Sequence, residues 1–283
     1  MTIKPLSSTS FHPLYTAFNH AFADYEMQLQ PDELKSMLIR RGFDADLSFA
    51  AFEDEHIVSF TFNGIGNYNG LKTAYDTGTG TLKAFRGQGL AKKIFEYSIP
   101  YLKESGIRHY LLEVLQHNTS AVSVYRNVGF LVSREFNYFV WNNNQINHNI
   151  KPLESNYYIQ LFDTDLYPSL ANFWDFQPSW QNSFDSILRA KEKFIHLGVF
   201  SQDALEGYCI FEPLSGDITQ LAVHKNQRRK GIGSRLLYEV SKLNTHAKTK
   251  IINAEVHCNS ITGFLKSKNI EVSGKQFEMI KEI

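Results

Sequence analysis

Hydrophobic residues near the start of the chain follow helical spacing and then change to strand-like runs. Between Phe11 and Arg41 the apolar side chains recur every three or four residues, and Pro31 is typical of the start of a second helix. Residues 48–62 then predict two strands joined by the acidic turn at residues 53–55. The pattern therefore predicts two helices followed by a hairpin.

The same order of elements returns in the second half of the chain. Residues 197–211 predict another hairpin, with its turn at residues 201–203. After each hairpin comes an apolar run that predicts a strand, at residues 74–85 and 218–224, and then a short loop and an amphipathic helix. In the first of these helices we expect Pro100 to kink the last turns or to end the regular hydrogen bonding early.

Each of these helices is followed by a further strand-like run. These runs are His109 to Leu115 and Lys250 to His257, and each precedes an Asn and another helical pattern. Strands that alternate with helices in this way predict an α/β sheet with helices on both faces, in which ligands bind beyond the carboxyl ends of the strands.

The loop that precedes the amphipathic helix has the pattern R-x-x-G-x-(A/G) in both halves. Its two copies are Arg86-Gly87-Gln88-Gly89-Leu90-Ala91 and Arg228-Arg229-Lys230-Gly231-Ile232-Gly233. Arg228 follows Arg86 by 142 residues, Gly231 follows Gly89 by the same 142, and Glu255 follows Glu113 by 142 again. The constant spacing indicates a tandem repeat.

A glycine-containing loop that leads into a helix turns several unpaired backbone N–H groups toward one point, where the helix dipole also favours negative charge. The pattern therefore predicts phosphate binding at both loops. Lys225 to Lys230 can also be interpreted as a short basic patch for nucleic acid, but the run is brief and is followed by the glycines of the loop.

Composition limits the alternatives. The 283 residues contain 29 basic and 29 acidic side chains, so no overall charge draws the protein to nucleic acid or to an anionic membrane. With 43% hydrophobic residues the chain can bury either one large core or two of about 140 residues, and the repeat decides for two domains. We place them at residues 1–141 and 153–283, with residues 142–152 as a polar linker.

The cysteines and the N-terminal residues suggest a cytoplasmic protein. Cys209 and Cys258 are the only cysteines, and no C-x-x-C or H-E-x-x-H spacing occurs, so we expect free thiols and no metal. The first residues carry no apolar signal segment, and no run of about 18 apolar residues is present.

In the first half a second block of residues follows the loop. It consists of Leu111-Leu112-Glu113-Val114, Asn118, Ala121, Tyr125 and Gly129-Phe130. Together with the R-x-x-G-x-(A/G) loop, this block resembles the GCN5-related N-acetyltransferase (GNAT) superfamily, and the resemblance covers nearly the whole chain in two copies. It implies two tandem domains, each with a mixed, mostly antiparallel sheet and helices on both faces.

The resemblance implies that acyl-CoA lies in a V-shaped opening between the fourth and fifth strands. Its pantetheine arm would pair with the backbone of Thr79 to Ala84, or of Leu221 to His224. The residues that it implies for coenzyme A binding in the first copy are Leu82, Lys83, Ala84, Arg86, Gly87, Gln88, Gly89, Leu90, Ala91 and Asn118. In the second copy they are Leu221, Ala222, Val223, Arg228, Arg229, Lys230, Gly231, Ile232, Gly233 and Asn259.

Acyl transfer to an amine needs a neutral nucleophile and a proton for the departing thiolate. The resemblance makes Tyr125 the candidate acid, whereas Tyr125 taken alone is a half-buried aromatic of a helix. Asp76 and Glu113 are acids that could face the opening as bases, with Asp217 and Glu255 in the second copy. For each of these acids, a position on the solvated surface is the alternative.

Three further sites have functional interpretations beside structural ones. Asn118 could bind coenzyme A or cap the following helix. The aromatic run from Phe173 to Trp180 is core or packing, with a substrate-side wall as the alternative. Asp24-Tyr25-Glu26 lies where this superfamily shapes its acceptor site, and it is a candidate for substrate contact.

The second copy departs from the family pattern. Lys266 stands where the Tyr is expected, and Ile270 stands where Gly-Phe is expected. We therefore expect the N-terminal copy to be catalytic and the C-terminal copy to help frame the acceptor site, although the reverse assignment stays open.

The resulting hypothesis is an acyl-CoA-dependent N-acyltransferase, with acetyl-CoA as the expected co-substrate. Its acceptor is an amine of a small molecule, peptide or protein, and a strong base is needed only for alkyl amines, whose pKa is near ~10.4. The alternative is a non-catalytic acyl-CoA-binding or interaction protein. We expect no nucleic-acid or membrane partner, and either a monomer that imitates a dimer or a homodimer.

Overall fold

The computed structural model describes residues 1–24, 28–146, 150–164 and 168–283. The elements of these ranges, in chain order, are β1 (Thr2–Pro5), α1 (Phe11–Ala21), α2 (Pro31–Arg41), β2 (Phe49–Glu53), β3 (His56–Tyr68), β4 (Leu71–Thr81), α3 (Leu90–Glu104), β5 (His109–Leu115), α4 (Thr119–Asn127), β6 (Leu131–Asn142), β7 (Tyr157–Leu161), α5 (Phe184–Leu188), β8 (Ile195–Ser201), β9 (Ala204–Glu212), β10 (Asp217–Val223), α6 (Ile232–Leu243), β11 (Lys248–Glu255), α7 (Asn259–Lys266) and β12 (Gly274–Glu282).

The chain forms two compact units, and each takes residues from more than one stretch of the sequence. Unit 1 contains Met1–Arg134, Phe184–Ala190 and Phe277–Ile283, and unit 2 contains Glu135–Ser183 and Lys191–Gln276. The first boundary between the two units, after Arg134, lies inside β6 and before the predicted linker at residues 142–152. Strand β6 itself continues to Asn142. Of that linker, residues 147–149 lie outside the described residues.

In unit 1 the strands lie in the order β1-β2-β3-β4-β5, followed by β12. The pairs from β1 to β4 are antiparallel, and β4 with β5 is parallel. Successive side chains of β2 point to opposite faces. Ala50 and Phe52 therefore pack with α1 and α2, whereas Phe49 and Ala51 pack with Leu90 of α3. The predicted mixed sheet with helices on both faces is confirmed.

Unit 2 repeats this plan with the order β11-β10-β9-β8-β7, and β6 lies next to β11. Its core packs α6 and α7 against alternate residues of β8 and β9 and against Ile251 and Ala254 of β11. Both cysteines are buried free thiols.

Both predicted hairpins are present, and their turns have the same geometry. Asp54 and Glu55 in the first turn, and Gln202 and Asp203 in the second, all have φ between 46° and 65°. Two successive left-handed residues match the right-handed twist of the flanking strands, which is the usual reason for a two-residue hairpin turn.

One predicted boundary in the first half is wrong. The strand expected at residues 74–85 ends at Thr81, and Lys83–Phe85 forms a 3₁₀ turn that leads toward α3. Of the two effects predicted for Pro100, an early end of α3 is excluded, because the helix continues to Glu104. Pro100 has no N–H to donate to the carbonyl of Glu96, four residues earlier. Both residues are exposed, so water can bind that carbonyl instead.

The last residues of the chain complete unit 1. Met279 is fully buried, and Phe277 and Ile283 pack around it against β5, α3 and α4. Glu278, beside them, accepts hydrogen bonds from Arg134 at 2.6 and 2.9 Å. Across the described ranges, no helix has both the length and the hydropathy that crossing a membrane requires.

Candidate active site

In both units a pair of parallel strands separates beyond a short paired segment. Strand β4 pairs with β5 only at Thr73, Ala74 and Tyr75, so Asp76 is the first residue of β4 beyond the pairing. In unit 2, β10 pairs with β11 only between Asp217 and Lys250. The carboxyl-terminal parts of both pairs are left open, at the edge of the sheet where the two loops begin.

A β-bulge lies beside each opening. The register of β4 against β3 shifts at Thr77, and that of β10 against β9 shifts at Thr219. The two threonines are 142 residues apart, so the bulge belongs to the repeat. A bulge re-aims the side chains next to it, and bulges are frequent beside active sites.

The first loop leaves the start of α3 without a protein cap. Gly89 is the N-cap in a left-handed conformation with φ 71°, and it has no side chain to offer. The first intrahelical bond runs from Lys93 N to Gly89 O, so the N–H groups of Leu90, Ala91 and Lys92 precede it. No acidic residue lies in this turn, and a Cβ at Gly87 or Gly89 would meet nothing within 4 Å. The open space and the free N–H groups fit a phosphate.

The second loop has the same geometry with one exception. Gly231, with φ 90°, caps α6, and the first intrahelical bond runs from Arg235 N to Gly231 O. Arg229 occupies the position of Gly87 and has φ 68°. A side chain in the left-handed region is strained, whereas glycine is not.

Arg229→Gly is therefore expected to raise the free energy of unfolding by about 0.5–1 kcal/mol, measured by urea denaturation. Gly87→Arg is the matched change in unit 1 and should lower it by a similar amount. Equal stability of both variants and the parent would contradict the strain assigned to this position.

The first arginine of each loop is held inside its own unit. Arg86 donates to Ala21 O at 2.9 Å, to Thr81 O at 3.2 Å and to Asp24 Oδ2 at 3.1 Å. Arg228 does the same in unit 2, with Val223 O at 3.2 Å and Asp175 at 3.0 Å. The guanidinium groups therefore tie the loops to the segments that precede the hairpins in the chain.

Asp76 and Tyr125 meet at the β4/β5 opening. The Tyr125 hydroxyl donates to Asp76 Oδ2 at 3.1 Å. Thr79 Oγ1 donates to the same oxygen at 2.8 Å, and Gly78 N donates to Oδ1 at 2.9 Å. Asp76 is 7% exposed. Burial raises the pKa of its carboxyl to about 6, although these three hydrogen bonds act in the opposite direction.

The third predicted catalytic residue, Glu113, has a different neighbourhood. It shares a hydrogen bond with the hydroxyl of Tyr75, whose pKa is raised mainly by burial. Tyr75 precedes Asp76 in β4, so the two side chains start on opposite faces of the strand. The structure thus brings Asp76 and Tyr125 together and leaves Glu113 with Tyr75.

Neither member of this pair recurs in unit 2. The residue 142 positions after Asp76 is Ile218, which is 1% exposed. The counterpart of Tyr125 is the buried Leu265 and not the predicted Lys266, because Leu265 O accepts from Ile270 N at 3.1 Å as Tyr125 O accepts from Phe130 N at 3.0 Å. The predicted Asp217 lies one residue earlier, at the position of Tyr75, and it is buried. Glu255 is the last residue of β11.

The two asparagines differ as well. Asn118 caps α4, because its Oδ1 accepts from Ala121 N at 3.2 Å, as one of its two interpretations predicts. Asn259 is the first residue of α7, and Cys258 occupies the N-cap position.

Unit 2 contains a cavity of about 610 Å³ around its opening. The loop, both strands of the opening and α7 line it. The predicted coenzyme A residues among its walls are Leu221, Ala222, Val223, Arg228, Arg229, Gly231, Ile232, Gly233 and Asn259. Lys230 donates to Gln227 at 2.6 Å instead.

The predictions for the acceptor side have mixed outcomes. Asp24 is bound to Arg86 and lies 3.5 Å from Lys83, and Tyr25 and Glu26 lie outside the described residues. In the aromatic run, Trp180 is buried in the core, and Phe173, Trp174 and Phe176 line the cavity. The core interpretation therefore holds for Trp180, and a substrate-side wall stays a prediction for the rings that line the cavity.

Sequence reasoning missed the partners that hold Asp76. Gly78 and Thr79 carry no motif, and only the bulge at Thr77 gives them their positions. The predicted strand boundary at Phe85 also misplaced Leu82, Lys83 and Ala84, which follow the strand rather than belong to it.

Known proteins resemble this chain in fold more clearly than in sequence. No curated protein matches the chain significantly in sequence. Among solved structures, a tandem GNAT protein from the clavulanic acid biosynthesis pathway, without AcCoA, has a TM-score of 0.74 at 13% identity, covering 99% of this chain and 98% of that one. A GCN5-related N-acetyltransferase from Sphaerobacter thermophilus has a TM-score of 0.71 at 13% identity, covering 99% and 95%.

At these identities the two structures establish the fold alone. The family model of the acetyltransferase (GNAT) family matches residues 11–130 and 157–260, which is more than half of the chain and includes both loops. The chain therefore belongs to the acetyltransferase (GNAT) family, as a member with two tandem domains.

Proposed function

We propose that the protein is an acyl-CoA-dependent N-acyltransferase, with acetyl-CoA as its co-substrate, and that unit 1 carries the reaction. The observation on which this depends is the hydrogen-bonded pair of Asp76 and Tyr125 at the β4/β5 opening. This opening lies at the edge of the sheet where the loop at Arg86–Ala91 begins. A titratable pair in a cleft beside an anion site is what acyl transfer to an amine requires.

The loop residues would hold the diphosphate of coenzyme A. The N–H groups of Leu90, Ala91 and Lys92, at the positive end of α3, supply the donors. Arg86 then acts as a positioning residue, because its guanidinium group is already bound to Asp24 and two carbonyls. The backbone of β4 beyond Asp76 is the edge along which the pantetheine arm would lie.

Asp76 is the proposed general base. With a pKa of about 6 its carboxyl is roughly 90% ionised at pH 7, so it can accept a proton from the attacking amine. The thioester of the co-substrate supplies the activated acyl group. Tyr125 donates its proton to the departing sulfur and regains one from Asp76 across their 3.1 Å hydrogen bond. The net transfer of one proton from nitrogen to sulfur leaves both side chains unchanged.

Tyr125→Phe is expected to lower the rate of acyl transfer at least ten-fold, because the substitution removes the proton donor and keeps the ring. The ring packs edge-on against Phe95 and Phe130, so the fold should be retained. Thiol release from acetyl-CoA against a panel of amines measures the rate, and calorimetry measures acetyl-CoA affinity, which should change little. Unchanged turnover would remove Tyr125 from the mechanism.

The second candidate is a non-catalytic acyl-CoA-binding protein. Unit 2 favours it, because Ile218 and Leu265 replace the reactive pair there while the loop and the cavity remain. Tight binding of acetyl-CoA by the full-length chain, without thiol release for any amine, would select this function for the whole protein.

A further inference from the structure

The cavity of unit 2 reaches both faces of its sheet. Cys209 and Phe211 of β9 pack with α6, so Tyr208, the residue before Cys209, points to the opposite face. Tyr208 accepts a hydrogen bond from Trp174 Nε1 at 2.7 Å, and its ring lies 5.7 Å from that of Phe173. These aromatic residues line the same cavity as the loop and α7. The cavity therefore passes between β10 and β11.

An unsatisfied acceptor lies at this passage. Asn182 donates from Nδ2 to Ile252 O of β11 at 3.0 Å, and its backbone carbonyl accepts from Gln220 of β10 at 2.7 Å. Its side-chain oxygen Oδ1 has no hydrogen-bond partner among the described residues, although Asn182 is only 5% exposed and lines the cavity. Buried side-chain oxygens ordinarily have a donor, so this one calls for an N–H or O–H group of a ligand.

The walls of the cavity are chemically different. The backbone N–H groups of the loop and Arg229 suit a diphosphate. The rings of Phe173, Trp174 and Phe176 form another part of the wall and suit an apolar group. A ligand that fills the cavity therefore carries a phosphate end, an amide-type donor at the passage and an apolar end.

We propose that unit 2 binds an acyl-CoA whose acyl group is longer and more apolar than acetyl, and that it holds this ligand without transferring the acyl group. The diphosphate lies at the Arg228–Gly233 loop, an amide N–H of the pantetheine arm donates to Asn182 Oδ1, and the acyl chain packs among the rings beyond. Ile218 stands where unit 1 has Asp76, so an apolar side chain occupies the position of the proposed base. This inference rests on coenzyme A binding at the loops, but not on acyl transfer in unit 1.

The test uses the full-length chain and calorimetric titration with CoA, acetyl-CoA and decanoyl-CoA. Because each buried methylene contributes about four-fold in affinity, decanoyl-CoA should bind at least 100-fold more tightly than acetyl-CoA at one of the sites. Gly231→Val should abolish that preference, since it places a β-branched residue at φ 90° in the unit 2 loop. Gly89→Val is the matched change in the unit 1 loop and should leave the preference intact.

Two wall variants test the ends of the ligand separately. Phe176→Ala should reduce decanoyl-CoA binding about ten-fold and leave CoA binding unchanged. Asn182→Ala should weaken CoA and decanoyl-CoA alike, about ten-fold, in a chain whose thermal unfolding shows that it is folded. If Asn182→Ala does not fold, Phe176→Ala alone decides the acyl part of the proposal.

Three results would overturn the inference: equal affinity for acetyl-CoA and decanoyl-CoA, a chain-length preference that depends on Gly89 instead of Gly231, or thiol release from decanoyl-CoA by the Gly89→Val protein. Failure of the proposed function gives a different result. Acetyl-CoA would then yield no thiol with any amine, while binding of decanoyl-CoA that depends on Gly231 would persist.

Discussion

Asp76→Asn is expected to lower the turnover number for acyl transfer by about 10²- to 10⁴-fold, which is the usual contribution of a positioned general base. Asparagine keeps the shape of the side chain and one acceptor oxygen for Tyr125 and Thr79, but it cannot take the proton of the attacking amine. Steady-state thiol release from acetyl-CoA measures the effect, and calorimetry should show that acetyl-CoA still binds.

The pH dependence of the parent protein checks the same assignment. Burial raises the pKa of Asp76 to about 6, so kcat/KM should increase as the pH rises through about 6, where the carboxyl becomes ionised. Asp217→Asn is the matched control, because Asp217 is the buried acid next to the same opening in unit 2. Its turnover should equal that of the parent. A loss confined to Asp217→Asn would assign the reaction to unit 2.

The raised pKa of Asp76 also predicts how the free energy of unfolding changes with pH. Its pKa in the folded state is about 6 and in the unfolded chain is 3.8, so the folded state binds more protons between these values. This stabilisation is present in full below about pH 4 and is lost as the pH rises through about 6, with a total of about 3 kcal/mol. Asp76→Asn should remove that decline from the free energy of unfolding.

Deleting Phe277–Ile283 is expected to lower the stability of unit 1 by about 5 kcal/mol or more. The deletion removes the fully buried Met279 and the packing of Phe277 and Ile283. It also removes the carboxylate that accepts from Arg134 and Ser133, and Arg134 is only 18% exposed. Denaturant unfolding followed by circular dichroism measures the loss.

Met279→Leu in the full-length chain is the control for this deletion. A swap of similar volume in a packed core costs less than about 1.5 kcal/mol, so this variant should unfold close to the parent. If the shortened chain unfolds at the same denaturant concentration as the parent, the last strand is not part of the unit 1 core. Because each unit takes residues from both halves of the sequence, ligand binding is best measured on the full-length chain.

Local sequence was sufficient for the parts of this protein that depend on neighbouring residues. The two hairpins, the helices α1 and α2 and the glycine-capped loops follow from apolar spacing and turn chemistry within short windows. The tandem repeat followed from the constant spacing of 142 residues between the two loops. The resemblance to the family rested on the same loops and on the block that ends at Gly129-Phe130.

Only the tertiary structure decided which acids share a site and where each unit ends. Asp76 and Tyr125 are 49 residues apart and meet because β4 and β5 separate at Asp76 while α4 packs beside the opening. The bulge at Thr77 positions the other two donors to Asp76, Gly78 N and Thr79 Oγ1. No residue type in this stretch predicts the bulge. Phe277–Ile283 belongs to unit 1 because its apolar side chains complete a core formed by residues more than a hundred positions earlier, a pairing that no local pattern contains. Periodicity reports which face of an element is buried, but only the folded chain determines what lies against that face.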